Sequence, residues 1–450
     1  MASNTLDMTT GPFYKKIIKF SIPLMLTSLL QILYNAADIM VVGKFATSQA
    51  LAAVSSNGAL VNLILNLFIG FSIGSGVVVA RFIGARNEKA ISRAVHTAMT
   101  FAVLLGLTAL VIGESFARGL LGIMGTPEDI IDLATLYLRI FFLGTPASLT
   151  FNFGSAVLRA NGDTKRPMII SAISGLVNIV LNLIFVIYFK MSVAGVALAT
   201  IISQYITAIW VVIILLKRED ASRLEIKKLK LHNAELVEIV RIGLPTGLSS
   251  TCFALSNVTV QSAINSFGSI AVAGNGAASN IDNVVYVCMD AFPQACTTFV
   301  AQNVGAKNYD NISKVFKRCM VLIAAVAITM GGIAAIFAEP LVGLFTNDPE
   351  VVIFGAEKIR FIATGYFICG WMNCAAGAIR SMGKPFTSMI ISLVGSCGLR
   401  IVWVFTIFSM FRTLPVLYSV YVTSWIVTFA VLYVFYKKIL KKLKSQPIEV

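Results

Sequence analysis

Twelve stretches of this chain are each long and apolar enough to cross a lipid bilayer, and little besides a bundle of membrane helices can accommodate them. In the first half they lie near 17–42, 52–80, 94–117, 131–158, 168–189 and 193–216. In the second half they lie near 237–264, 271–301, 318–340, 352–379, 389–411 and 414–436. A crossing needs ~20 mostly apolar residues to span ~30 Å of hydrocarbon. There the backbone must pair within its own segment, so such runs form helices, and these tolerate Gly and Pro. Composition agrees: 57% of residues are hydrophobic and 13% charged, about half the charged share of a soluble domain. Mean hydropathy is +0.84. Disorder, collagen and a multi-domain soluble enzyme are thereby excluded.

The net charge of +15 could suggest nucleic acid, but that would require basic residues gathered on one folded surface. Here they sit in short stretches between the apolar runs. One set of loops holds 28 of the 36 Lys and Arg: around Lys15–Lys19, Arg81–Arg93, Arg159–Arg166, Lys217–Arg241, Lys307–Arg318, Arg380–Lys384 and Lys437–Lys444. The alternate loops hold Lys44, Arg118, Lys190 and Arg412, and four more lie inside spans. Cytoplasmic loops collect Lys and Arg, so the charge records topology, and the even span count places both termini in the cytoplasm. No nucleic-acid partner is expected. Residues 1–14 are polar with no cleavage-site pattern, so span one reads as retained rather than as a signal peptide. The basic runs at Lys227–Lys230 and Lys437–Lys444 read as contacts to anionic lipid head groups. Cys252, Cys288, Cys296, Cys319, Cys369, Cys374 and Cys397 are odd in number, mostly apolar in setting and without CxxC spacing. They read as packing residues rather than disulfides or metal ligands.

The two halves match at an offset of 221 to 222 residues. Pro23, Ser28 and Asn35 align with Pro245, Ser250 and Asn257, and Gly84–Asn87 with Gly305–Asn308. Arg139, Arg159, Gly162 and Met168–Ser171 align with Arg360, Arg380, Gly383 and Met389–Ser392. Chance similarity between apolar helices does not place matching polar loop residues at one offset. Six spans per half keep both repeats in one orientation, related by a pseudo-twofold axis along the membrane normal. The expectation is an all-α polytopic membrane protein of two six-helix bundles: residues 1–216, a linker 217–236, residues 237–436 and a basic tail 437–450. Duplicated bundles with a cleft between them are a transporter architecture.

No energy-coupling enzyme is visible. The P-loop pattern is absent, since Gly383-Lys384 is followed by Pro385 and lacks the leading Gly. The chain has two His, His96 and His232, which precludes HExxH chemistry, and it lacks paired aspartate-rich motifs for Mg²⁺. A membrane-embedded enzyme is disfavoured; transport driven by an ion gradient, with no further cofactor, fits what remains. The acids well inside spans are Asp38, Asp282 and Asp290. A carboxylate at a helix centre costs ~2.5–3.5 kcal/mol, which makes each a functional candidate. Asp38 lies 19 residues, ~28 Å, beyond Lys19. Asn182 is ~21 Å into span five and Thr200 ~10 Å into span six from the opposite side, so all three reach a similar level. Asn178 shares a face with Asn182. These oxygens could hold a hard cation or a protonated network, and interhelical hydrogen bonding explains each Asn equally well.

Residues around this level resemble the multidrug and toxic compound extrusion (MATE) transporters of prokaryotes. The matching stretches are Leu33–Asp38, Val157–Asp163, Asn178–Asn182, Ala194–Thr200 and Phe299–Ala306. Each is weak alone; in this order on a 6+6 repeat they are specific. The resemblance implies an inner-membrane antiporter, working as a monomer, that exports amphiphilic and often cationic compounds in exchange for H⁺ or Na⁺. It implies that Asp38 is the coupling carboxylate, supported by Asn178, Asn182 and Thr200, with no other metal site. Prokaryotic members often carry Asp where this chain has Asn182. Asp38 is then the sole titrating group of the set, which favours H⁺ over Na⁺. Some relatives place coupling acids in the second bundle, so Asp282 and Asp290 are secondary candidates.

For substrate contact the resemblance points to the inner faces of spans one, four and seven: Gln31, Tyr34, Tyr137, Asn152 and Asn257. Each also reads as an ordinary packed interface residue. Glu357, three residues before Arg360, has the spacing of an ion pair. The nearest alternative function is a flippase or exporter of lipid-linked saccharides on a related fold, whose members commonly carry 14 spans and a more cationic cavity.

Overall fold

The computed structural model describes residues 6–45 and 47–445; the ends of the predicted N-terminal segment (1–5) and basic tail (446–450) lie outside the described residues. The described residues form helices joined by short turns and loops, with no strand among them. The first half comprises α1 Phe13–Phe45, α2 Ser48–Gly84, α3 Glu88–Ile123, α4 Glu128–Leu143, α5 Thr145–Ala160, α6 Lys165–Leu183 and α7 Ser192–Leu216. The second comprises α8 Asn233–Asn265, α9 Ser269–Gly305, α10 Tyr309–Ile336, α11 Ala338–Gly343, α12 Pro349–Ala363, α13 Tyr366–Ser381, α14 Pro385–Ser392, α15 Leu399–Phe405, α16 Ile407–Met410 and α17 Leu414–Lys444. Twelve crossings result, because α4–α5, α12–α13 and α14–α16 each make one span. Among the described residues nine helices are long and apolar enough to cross alone, or ten when the α4–α5 pair, bent by 45°, counts as one. The other two crossings, α8 and α12–α13, are the polar ones: α8 carries Glu235, Glu238 and Arg241, and α12 carries Glu350, Glu357, Lys358 and Arg360.

Turn chemistry repeats with the sequence. Arg86 and Lys307, matched across the halves, hold φ of 53° and 57° just past α2 and α9. Gly162 and Gly383 hold φ of 84° and 88° past α5 and α13. There Asp163 N–H reaches back to the Leu158 carbonyl at 3.0 Å and Lys384 N–H to that of Ile379 at 3.2 Å. This is the glycine-closed helix end in which a left-handed residue lets the chain satisfy its last carbonyls. The span-four break at Gly144 is matched by a span-ten break at Gly365. Two π-helical turns, Ile184–Tyr188 after α6 and Leu393–Gly398 after α14, fall at unmatched positions and distinguish the repeats.

The chain divides into two compact units, one of Met1–Leu6 and Leu26–Gly247, the other of Asp7–Met25 and Leu248–Val450. The two divisions inside helices, after Met25 and after Gly247, each fall two residues beyond an in-helix proline, Pro23 in α1 and Pro245 in α8, where the missing N–H interrupts the hydrogen-bond ladder. In the first unit α2 and the start of α8 pack backbone to backbone. A Cβ on Gly70 would lie 2.3 Å from the Gly247 nitrogen, and one on Gly74 2.6 Å from the Ile239 carbonyl oxygen. Gly70 and Gly74 thus face Gly243 and Gly247, two four-residue glycine steps that let membrane helices touch.

The predicted linker is tied to the same unit. His96 Nε2 accepts from Glu225 N–H at 2.9 Å, Thr97 Oγ1 accepts from His232 N–H at 3.1 Å, and Arg93 pairs with Glu235 at 2.7 Å. A separate apolar cluster joins Val42, Ala53, Leu121, Leu138, Phe142 and Val196.

In the second unit the start of α1 packs on α9 and α10. Phe20 meets Phe299 edge to face at 5.6 Å, and Arg318 lies 5.3 Å from the Phe13 ring centre. Ahead of that helix, Asp7 anchors the turn that enters it. Burial alone would raise its carboxyl, but hydrogen bonds from Thr10 and Thr9, with Lys16 nearby, hold it at about 2. Cys296, Cys319 and Cys374, all buried and free, gather between α9, α10 and α13. Arg360 pairs with Glu339 of α11 at 2.9 Å rather than with the predicted Glu357, because Glu339 faces it across the helix pair.

Candidate functional site

Asp38 stands near the end of α1, Asn178 and Asn182 one turn apart on α6, and Thr200 two turns into α7. The first unit brings these four together in one hydrogen-bonded chain. Asn182 Nδ2 donates to Asp38 Oδ1 and lies 3.3 Å from Asn178 Oδ1. Asn178 Nδ2 reaches Thr200 Oγ1 at 3.5 Å, and Thr200 Oγ1 donates to the Val196 carbonyl at 2.9 Å. Asn182 is 0% exposed, and its Oδ1 has no hydrogen-bond partner among the described residues. Two residues later the helix passes into its π-helical turn, a device frequent at functional sites. Among the described residues no Lys or Arg lies within ion-pair distance of Asp38. Asp38 is thus served by one amide and, among the described residues, by no cation.

The predicted substrate contacts separate. Tyr34 packs on α6: its hydroxyl donates to the Ala172 carbonyl at 2.9 Å, and its ring fills the space over Gly175, where a Cβ would lie 1.9 Å away. Tyr137 stacks on Phe141 and is within electrostatic reach of Asp38. Asn152 Nδ2 donates to the Ser148 carbonyl of its own helix at 2.9 Å. Gln31 is exposed, as is Asn257 in the second unit.

Asp282 and Asp290, two turns apart on α9, have different surroundings. Asp282 pairs with Lys358 Nζ at 3.2 Å and accepts from the Tyr366 hydroxyl. Lys358 Nζ also donates to Ser279 Oγ at 2.7 Å. Asp290 accepts from Gln294 Nε2 at 3.0 Å and lies within electrostatic reach of Arg380. Two residues absent from the sequence-derived set thus carry weight in the second unit: Lys358, 5% exposed, and Arg400, 3% exposed. The signal was present, since both belong to the four basic residues inside spans; a search for proton-carrying acids passes over them.

With this geometry in place, comparison with known proteins identifies the lineage. The family model MatE matches residues 23–184 and again 245–406, one copy per repeat. The chain is 27% identical to "Probable multidrug resistance protein YoeA" of Bacillus subtilis (strain 168) over 438 residues, covering 95% of this chain and 94% of that protein. It is also 27% identical to "Probable multidrug resistance protein NorM" of Thermotoga maritima, over 88% of this chain and 86% of that one. Among solved structures, "Outward-facing conformation of a multidrug resistance MATE family transporter of the MOP superfamily" superposes with a TM-score of 0.92 at 22% identity, covering 98% of this chain and 99% of that one, a likeness of fold. Two matched copies in one chain, on twelve helices in two bundles, leave one assignment: the chain belongs to the MatE family of membrane transporters.

Proposed function

We propose that this transporter is a secondary exporter of amphiphilic compounds, driven by inward flow of H⁺ and coupled through Asp38. The observation that carries the reading is the Asp38–Asn182 hydrogen bond inside a span, with no ion pair to Asp38 among the described residues. Protonation removes the charge that the membrane interior penalises. It also changes what the neighbour must do. Asn182 Nδ2 serves an ionised carboxylate; once a proton sits on Asp38, that new O–H needs an acceptor, and the unpartnered Oδ1 of Asn182 supplies one when the carboxamide turns. Asn178 and Thr200 would hold the carboxamide in either orientation. The names of the relatives, probable multidrug resistance proteins and a multidrug export protein of bacteria, support export of varied compounds.

In this account the two six-helix bundles alternate access. Outside, Asp38 takes a proton and the bound compound leaves; inside, the proton is released and a new compound binds. Both termini and the basic loops face the cytoplasm, and the working unit is a monomer. Na⁺ is the weaker co-substrate, because one carboxylate with amide and hydroxyl oxygens offers a single negative charge.

The test is flux of the fluorescent cation rhodamine 6G in proteoliposomes under an imposed pH or Na⁺ gradient. The proposal expects movement under the pH gradient alone. Movement that requires Na⁺ would overturn the ion assignment, and no movement under either gradient would overturn the export reading.

A further inference from the structure

The second unit buries a guanidinium that no carboxylate neutralises. Arg400 of α15 is 3% exposed, and among the described residues it forms no ion pair. Its bonds are to neutral groups: Nη1 donates to Asn257 Oδ1 of α8 at 2.7 Å and Nε to Ser424 Oγ of α17 at 3.3 Å. Aromatic faces flank it, Tyr421 at 4.7 Å and Phe253 at 5.8 Å from ring centre to guanidinium carbon. By contrast Lys358, the other buried cation of α12–α17, is matched by Asp282. A charge at a helix centre is costly in a membrane and marks function where nothing in the protein offsets it. Cation–π contacts repay part of that and leave the net charge in place.

The internal repeat gives the position meaning. At the offset of 221, Arg400 corresponds to Ile179, between the two asparagines of the first site, and Tyr421 corresponds to Thr200. Asn257 corresponds to Asn35, one turn before Asp38. Neither charge has a charged counterpart in the other repeat, since Asp38 aligns with Val260 and Arg400 with Ile179, but corresponding regions hold a carboxylate in the first unit and a guanidinium in the second. The approach is also built. Asn257 is exposed and Tyr421 and Phe253 are partly so, and an incoming anion can replace the Asn257 carboxamide on Nη1. Guanidinium binds carboxylate and phosphate through paired N–H donors, and flanking rings favour a planar apolar body.

From this we infer that the second unit binds an oxyanion, carboxylate or phosphate, on an aromatic amphiphile, with Arg400 as its anchor. The inference rests on the exporter reading for its use in transport, and assigns the substrate class an acidic group alongside any cationic one. It needs no gradient to test. The full chain in nanodiscs is titrated with riboflavin and with riboflavin 5′-phosphate, read by flavin fluorescence polarisation. The wild type is expected to prefer the phosphorylated flavin by about tenfold, ~1.4 kcal/mol.

Arg400→Gln, which removes the charge, should bring the ratio close to one, and Arg400→Lys should retain a preference. Equal affinities in the wild type, or an unchanged ratio in Arg400→Gln, would overturn the inference. If the Gln variant binds neither flavin, the Lys variant decides: loss of preference there overturns it. Nanodiscs of phosphatidylcholine are compared with nanodiscs containing phosphatidylglycerol. A preference erased by the anionic lipid would assign Arg400 to a head group and overturn the substrate claim. Failure of the exporter reading would appear separately, as absent gradient-driven flux with this binding preference intact.

Discussion

Asp38, Asp282 and Arg400 are three membrane-buried charges with three kinds of neighbour. Asp282 has a cation, Lys358 at 3.2 Å; Asp38 has an amide; Arg400 has an amide, a hydroxyl and two rings. On the proposed reading a matched pair holds structure, and an unmatched charge is available to a proton or a ligand. This sorting makes a stability prediction. Lys358→Met or Asp282→Asn alone strands the partner's buried charge and should cost ~3–5 kcal/mol, whereas the double variant carrying both substitutions should cost much less than the sum. Thermal unfolding of the purified variants in detergent measures this; strictly additive losses would contradict the pairing. The first site was legible residue by residue, because i, i+4 spacing and helical rise place Asn178, Asn182, Thr200 and Asp38 at one level. Lys358 and Arg400 were not, since sequence does not reveal whether an intramembrane cation has found its acid.

At the scale of the element, the helices were legible wherever the apolar run was unbroken. Spans seven and ten are the polar ones, and ion pairs match charges on their helices, Arg93 with Glu235 of α8 and Asp282 with Lys358 of α12. The breaks at Gly144 and Gly365 and the π-helical turns leave no periodic trace, since they arise where packing overrides the local ladder. Close glycine packing of α2 on α8 is likewise a tertiary fact. Gly70→Ala should cost ~1–3 kcal/mol, because its Cβ would meet backbone at 2.3 Å and the helices must part. Gly119→Ala on α3, where a Cβ meets nothing within 4 Å, should be neutral or stabilising by up to ~1 kcal/mol. Unfolding midpoints of the two variants check the opposite signs; equal effects would contradict the close packing.

Over the whole molecule, one duplication accounts for most of what the chain does: twelve helices, matched turns, and a family match repeated at 23–184 and 245–406. The repeats differ in the charges placed in corresponding regions, Asp38 in the first and Arg400 in the second. Orientation is read from charge, and it predicts that a cysteine at Lys44 reacts with a membrane-impermeant maleimide on intact cells, whereas one at Lys89 reacts only after permeabilisation. Both positions are exposed, and six of the seven native cysteines are buried, which keeps the background low. Reversed labelling would invert the topology.

The central claim is that Asp38 carries the proton that drives export. Its most direct measurement is proton-driven rhodamine 6G transport by Asp38→Asn beside wild type and Asp38→Glu in the same proteoliposomes. The account predicts that Asp38→Asn falls to the level of empty liposomes while Asp38→Glu retains measurable flux; undiminished pH-driven transport by Asp38→Asn would contradict it.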